Sequence, residues 1–417
     1  MQLRGKATVF QKKEKILFFL IIGLGFFIIA RSSFAEDASY FFQKGQSLVE
    51  QGKYNEALAA FDQAIQLNPN NPNPHIFKGN VKFQQGDLIG ALAAFDQAIQ
   101  LDPRNPYPYI LRGNIKFQQG LPNLALADFN QALELDPKNP YPYALRGHIK
   151  FKLGDLKGAL ADLNRSIALD PTNPFPYADR GYIKSGRGDL KGALNDYNRA
   201  IDLNPKDPVS FHDRGVIKFQ LEDLPGALAD FTRSLDLNPK NSVSYFNRGG
   251  VKIRQGDLKG ALDDFDRAID LNPGDPVSYH ARGVIKFQQE DLPGALTDFK
   301  RSLELIPNNP ALYFLVGVIK EQQGDLKGAL ADYQKSYELK PDDPLVMKQI
   351  EAIKKEIAEG SNVRLLINIE DEKETAESPK ASQEKSAATK PLPPKRKAPS
   401  KFTLTDLMKY MPVFTPK

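Results

Sequence analysis

The feature that most restricts the fold is a 34-residue period running from Ala38 to Asp343 without insertion, nine copies in 306 residues. Numbering each copy from 1, position 8 is always Gly (Gly45 to Gly317), position 20 always Ala (Ala57 to Ala329) and position 32 always Pro (Pro69 to Pro341). Position 24 is large and apolar, as in Phe61, Phe95, Leu163, Tyr197 and Tyr333, and position 27 is Ala or Ser. A fixed period of this length means that one structural unit is stacked on itself.

Each unit reads as a helical hairpin. Position 34 is Asn or Asp in every copy and is usually followed by Pro, as in Asn71-Pro72 and Asp207-Pro208. An Asx side chain that caps free amides, with Pro at the first helical position, starts helix A. Gly at position 15 in most copies (Gly52, Gly86, Gly324) supplies a left-handed stop, and the Asp after it (Asp87, Asp155, Asp189) caps helix B. Helix B then runs to about position 30, ahead of the Pro. One hairpin cannot bury its apolar stripe alone, so neighbours complete the core.

The pattern of Gly, Ala, aromatic and Pro at this spacing resembles the tetratricopeptide repeat family, over 306 of 417 residues. The resemblance implies an all-α, right-handed α-solenoid of helix-turn-helix hairpins over 38–343. Two departures stand out. Position 11, Tyr in the family, is Leu48 once and then Lys from Lys82 to Lys320, and position 7 is Arg in copies three to eight.

The family implies a protein or peptide partner in a groove lined by helix A positions 2, 5, 9, 12 and 13. Here that lining is apolar: Tyr107, Tyr141 and Phe175 at position 2; Ile76, Ile110, Phe246 and Phe314 at position 5; Phe83, Phe117, Phe151, Phe219, Ile253 and Phe287 at position 12. The alternative for these side chains is core between repeats. No copy has Lys or Arg at position 5, so a clamp for a chaperone-tail carboxylate is not expected. An apolar groove suits the apolar face of a partner segment.

The flanks carry other signals. Residues 1–35 place Arg4, Lys6, Lys12, Lys13 and Lys15 before an apolar run, Ile16 to Ala30, then Ser33-Phe34-Ala35. This is the layout of a secretory signal, and its rival is an N-terminal membrane anchor through 16–30. Cleavage is the favoured reading, because fifteen helical residues reach roughly 22 Å of the roughly 30 Å apolar core. Either way, positive-inside asymmetry puts the repeats on the non-cytoplasmic side, periplasm or equivalent. Removing the segment takes away six Lys and Arg and one Glu, which lowers the net charge from +5 to zero and leaves no basic surplus for nucleic acid. The +4 on residues 360–417 balances −4 on the remainder.

After the last copy, Pro344 opens a capping helix over 344–359, with Leu345, Val346, Ile350, Ile353 and Ile357 at helical spacing. A disordered linker is expected over 360–401, including a PxxP stretch at Pro391–Arg396. Residues 402–417 form a short amphipathic segment with Leu404, Leu407, Met408 and Met411, which suggests that 402–414 dock in a groove of this molecule or of a partner.

Asp at position 23 accompanies Arg at position 7 in copies three to eight (Arg112 with Asp128, Arg282 with Asp298). This pairing predicts a ladder of exposed ion pairs, each worth roughly 0–1 kcal/mol. His212 and His280 share position 5 two copies apart, roughly 20 Å at ordinary helix spacing. They, His75 and His148 read as solvated groove residues with no Cys or paired carboxylate at metal-ligand spacing. No phosphate loop or nucleophile motif is present, so no enzyme, cofactor or metal is expected. The functional expectation is an exported or membrane-anchored interaction scaffold; the alternative is a membrane-associated envelope or complex assembly factor with a structural role.

Overall fold

A computed structural model describes the backbone of residues 33–375 and the side chains of 37–359. The described residues form nineteen helices and no strands. They fall into two compact units, one ending at Pro171 and the other beginning at Thr172. The first unit holds α1 (Ser33–Glu50), α2 (Tyr54–Leu67), α3 (Pro72–Gln84), α4 (Leu88–Leu101), α5 (Pro106–Gln118), α6 (Pro122–Leu135), α7 (Pro140–Lys152) and α8 (Leu156–Leu169). The second holds α9 (Phe175–Gly186), α10 (Leu190–Leu203), α11 (Pro208–Gln220), α12 (Leu224–Leu237), α13 (Ser242–Gln255) and α14 (Leu258–Leu271). It continues with α15 (Pro276–Gln288), α16 (Leu292–Leu305), α17 (Pro310–Gln322), α18 (Leu326–Leu339) and α19 (Pro344–Thr375). Consecutive pairs are the A and B helices of one copy.

The local chemistry sets these boundaries. Asn71, Asn105 and Asn139 each accept a hydrogen bond from the amide two residues on, at 3.0–3.1 Å, with Pro at the first helical position. The stop of helix A is left-handed glycine, for example Gly86 at φ 83° and Gly256 at φ 82°. Asp87, Asp155, Asp189, Asp223, Asp257, Asp291 and Asp325 cap helix B by accepting from the amide three residues later, at 2.8–3.0 Å.

Within a copy the two backbones meet at position 8. A Cβ on Gly79 would lie 2.5 Å from the Phe95 ring, and one on Gly283 would lie 2.7 Å from Phe299. Only hydrogen fits there. Where position 27 is Ser it stays buried but satisfied: Ser166, Ser234, Ser302 and Ser336 donate to the carbonyl that opens their own copy, at 2.8–2.9 Å.

Two boundaries differ from expectation. Asp37 stands where Asn or Asp precedes every later copy and so reads as the first cap, but the helix begins at Ser33 and Asp37 lies inside α1. Copy one opens with Ala38 where most copies have Pro, and nothing there stops the helix extending upstream. At the other end α19 continues to Thr375, past the expected linker boundary at 360. Gly360 costs a helix only about 1 kcal/mol relative to Ala, and Leu365, Leu366, Ile367 and Glu370 after it are compatible with helix. The apolar run Ile16–Ala30, the rest of the linker and segment 402–417 lie outside the described residues. Among those described, no helix is long and apolar enough to cross a membrane.

The ladder is buried. In the first unit Asp128 receives Arg112 Nε at 3.0 Å, Arg112 Nη2 at 2.5 Å and Lys116 Nζ at 2.8 Å, with its side chain 5% exposed. Asp162 is held the same way by Arg146 and Lys150. The second unit repeats the arrangement at Asp196, Asp230, Asp264 and Asp298, the last 2% exposed. Each cation pair comes from positions 7 and 11 of the same copy, so the two departures from the family pattern are one device. Within each unit the remaining guanidinium nitrogen reaches back to position 25 of the preceding copy, as in Arg112 to Asp96 at 2.7 Å and Arg282 to Asp266 at 2.6 Å. Each Arg also stacks on the ring three residues before it, as Arg146 does on Tyr143 at 5.5 Å. The Asp298 hydrogen bond raises the Arg282 pKa against the burial that lowers it.

Candidate functional site

Position 5 of helix A is not a surface in most copies. Ile76 and Ile110 are 3% and 8% exposed, and Phe314 is 1% exposed with its ring 5.5 Å from that of Tyr333 on its own helix B. Phe246 is half-buried and meets Phe265 in the same way. In copies seven and eight position 12 is buried too: Ile253 and Phe287 join a continuous core with Val284, Leu312 and Val318. Ile76, Ile110, Ile253, Phe287 and Phe314 are therefore core, which corrects the expectation that they line a groove. Position 9 is Val284 and Val318 in copies eight and nine, where both residues join the same core. In copies two to five it is Asn80, Asn114, His148 and Tyr182.

The remaining side chains of that expectation are half-buried: Phe83, Tyr107, Phe117, Tyr141 and Phe151 in the first unit, Phe175 and Phe219 in the second. The first unit brings several together. The Phe117 ring meets His148 edge-on at 5.7 Å, His148 lies 6.5 Å from Phe151, and the Lys152 ammonium sits 5.2 Å from the Phe151 ring. Phe117 packs in part against the core around Ile110, Phe129 and Ile149. Burial pushes the Tyr107 hydroxyl well above the ordinary tyrosine range. This strip, with Gln118 exposed beside it, offers stacking surface and few charges.

The corresponding face of the second unit is more polar. Asp179 and Asp213 occupy position 6 in copies five and six. The Tyr197 hydroxyl donates to Asp213 at 3.3 Å, beside a crevice lined by Tyr182, Ser185 and Val216 that has room for about one water. His212 shares a 2.7 Å hydrogen bond through Nδ1 with the buried Ser244 hydroxyl.

Three histidines are not the solvated groups expected from sequence. His280 is 2% exposed, its Nε2 has no hydrogen-bond partner among the described residues, and burial lowers its pKa to about 4. His75 is half-buried, and burial, then Lys78, lowers its pKa. His212 is half-buried and tied to Ser244. Among the described residues no group of three His, Cys, Asp or Glu is placed to hold a metal ion.

Comparison with known proteins agrees with the geometry. Tetratricopeptide repeat models match residues 42–106, 212–276 and 280–344, with further repeat models over 113–154, 141–173 and 176–207. No curated protein matches the chain in sequence. Among solved structures, YrrB, described as a TPR protein with an unusual peptide-binding site, is 25% identical, covers 46% of this chain and 99% of its own, with a TM-score of 0.40. A tetratricopeptide repeat protein from Parabacteroides merdae is 20% identical over 57% of this chain and 94% of its own, with a TM-score of 0.45. The Cut9–Hcn1 assembly of the APC/C matches at 13% identity over 76% of each chain, with a TM-score of 0.47.

Proposed function

Because the chain belongs to the tetratricopeptide repeat family, a fold of protein–protein interaction scaffolds, we propose that it holds a peptide or amphipathic helix on the helix A face of its first unit. The observation that carries this reading is the contact series Phe117–His148–Phe151, flanked by half-buried Phe83, Tyr107 and Tyr141. Half-buried rings bury further area at low conformational cost, which suits apolar anchors on the partner. Scaffold families of this fold are generally non-enzymatic.

Screening a displayed peptide library against the full chain and against Phe117→Ala/Phe151→Ser tests the reading. Selected peptides should lose at least about tenfold in affinity for the variant, about 1.4 kcal/mol. Equal affinity, with unchanged circular dichroism, moves the site elsewhere. The segment 402–414 is a competing occupant of the same face; deleting 400–417 then tightens peptide binding.

The basic-then-apolar order of residues 1–35 supports export or anchoring with the repeats on the non-cytoplasmic side. An uncleaved run 16–30 favours the second reading, a membrane-associated assembly factor. Fractionation with N-terminal sequencing separates the two: a soluble chain starting near residue 36 supports export, and a membrane-bound chain starting at Met1 supports anchoring.

A further inference from the structure

Along the edge where helix A turns into helix B, copies two, three and four carry aliphatic side chains in water. Ile89 is 81% exposed, Leu121 43%, Leu124 52%, Leu153 51% and Leu156 37%. All five belong to the first unit. Neighbouring tips lie side by side: the Gln85 amide donates to Asn55 one copy earlier at 3.0 Å, so position 14 of a copy rests against position 18 of the one before it. By the same register Leu153 lies beside Asn123, between Leu121 and Leu124 in sequence, and the five side chains form one stripe.

The two central leucines break a local rule. Elsewhere position 16 is a capping Asp and position 19 is Gly, and the two are coupled, because a Cβ at position 19 would run into the capping carboxylate. Copy one loses both and replaces them with polar Lys53 and Glu56. Copy three loses both and replaces them with leucine, and α6 starts without a side-chain cap. Cap loss alone therefore does not call for apolar residues. A departure that gives up local stability without gain in packing marks a surface kept for contact.

We propose that this stripe is a two-fold dimer interface between copies of this chain, with Leu121 and Leu124 at the axis and Ile89 of one copy against Leu153 and Leu156 of its mate. The stripe has exposed side chains on both sides of its middle copy, Ile89 before it and Leu153 and Leu156 after it, so a two-fold axis at copy three sets one end against the other. It exposes roughly 400 Å² of aliphatic surface, at the upper end of what monomers leave open. Both copies together, with a polar rim, bury on the order of 1,000 Å², the lower bound for a specific interface. The rim is complementary in an antiparallel pairing: Glu50, Glu56 and Asp87 outnumber Lys53 at one end, and Lys152 and Lys157 outnumber Asp155 at the other.

The test uses the chain's own consensus, so the variant keeps the fold. Ile89→Lys/Leu121→Asp/Leu124→Gly restores residues found at these positions in other copies, and its melting temperature should equal or exceed that of the wild type. In sedimentation velocity the full wild-type chain should dimerise with concentration while the triple variant stays monomeric. The chain has no cysteine, so Leu124→Cys alone should form a disulfide dimer on oxidation, whereas Ile89→Cys should cross-link only when mixed with Leu153→Cys. A wild type monomeric at every concentration, a dimer unaffected by the triple change, or equal cross-linking of Ile89→Cys with itself overturns the proposal. Peptide binding on the helix A face is independent of all three outcomes.

Discussion

The buried aspartates carry the largest single-residue effects. Asp264 faces Arg248 at 2.7 Å and Lys252 at 2.8 Å, so Asp264→Ala leaves two cations together with no anion. Removing one partner of a buried pair costs about 3 kcal/mol or more, and urea unfolding should show that loss; replacing Arg248 and Asp264 together by apolar residues should recover much of it. His280 gives a pH dependence with a defined sign. Its folded pKa of about 4 lies below the ordinary 6.5, so its effect on stability is nil above pH 6.5 and unfavourable as pH falls toward 4. The shift corresponds to about 3 kcal/mol. Unfolding midpoints measured from pH 7.5 to pH 4 should fall more steeply for wild type than for His280→Phe. None of this was legible residue by residue. Repetition of Asp at position 23 with Arg at position 7 signalled a partnership, but the second cation, Lys at position 11, and the burial that makes the group strong depend on how neighbouring helices enclose it.

At the scale of elements, most boundaries were readable because caps and stops are local chemistry. Asn105, Pro106, Gly120 and Pro137 each act within a few residues of themselves, and α5 and α6 lie where they indicate. What failed was what depends on an element's neighbours. Phe287 at position 12 is buried, while Phe117 at the same position is half-buried, and the residues next to them on adjacent helices decide it. Two elements can be tested. The turn after α15 forces Glu290 to φ 64°, where the other copies mostly have Gly, so Glu290→Gly should stabilise by about 1 kcal/mol in thermal unfolding. The terminal helix covers α17 and α18 through Val346 and Ile353, 2% and 1% exposed. Val346→Ala/Ile353→Ala should lower local stability by about 3 kcal/mol or more. Hydrogen exchange should quicken in α17 and α18 and remain unchanged in α3 to α6.

Within each unit, contacts are short in sequence and consecutive copies lean on one another, so stability is set by copies and seams. Because the charge ladder is enclosed, the urea midpoint should move little between 0.05 and 0.5 M salt, unlike that of a protein held by exposed pairs. The way each guanidinium spans a seam bears on how such a chain changes length. Arg112 and Arg282 hold one acid of their own copy and one residue of the copy before, at the same offsets. Gain or loss of a whole 34-residue cassette inside either unit rejoins the same donor to an equivalent acceptor, whereas a slip of one residue strands every charge it crosses. Recombination in register is thereby tolerated and misregister is punished, and the shared Glu222/Pro225 and Glu290/Pro293 signatures are the imprint of one such copying.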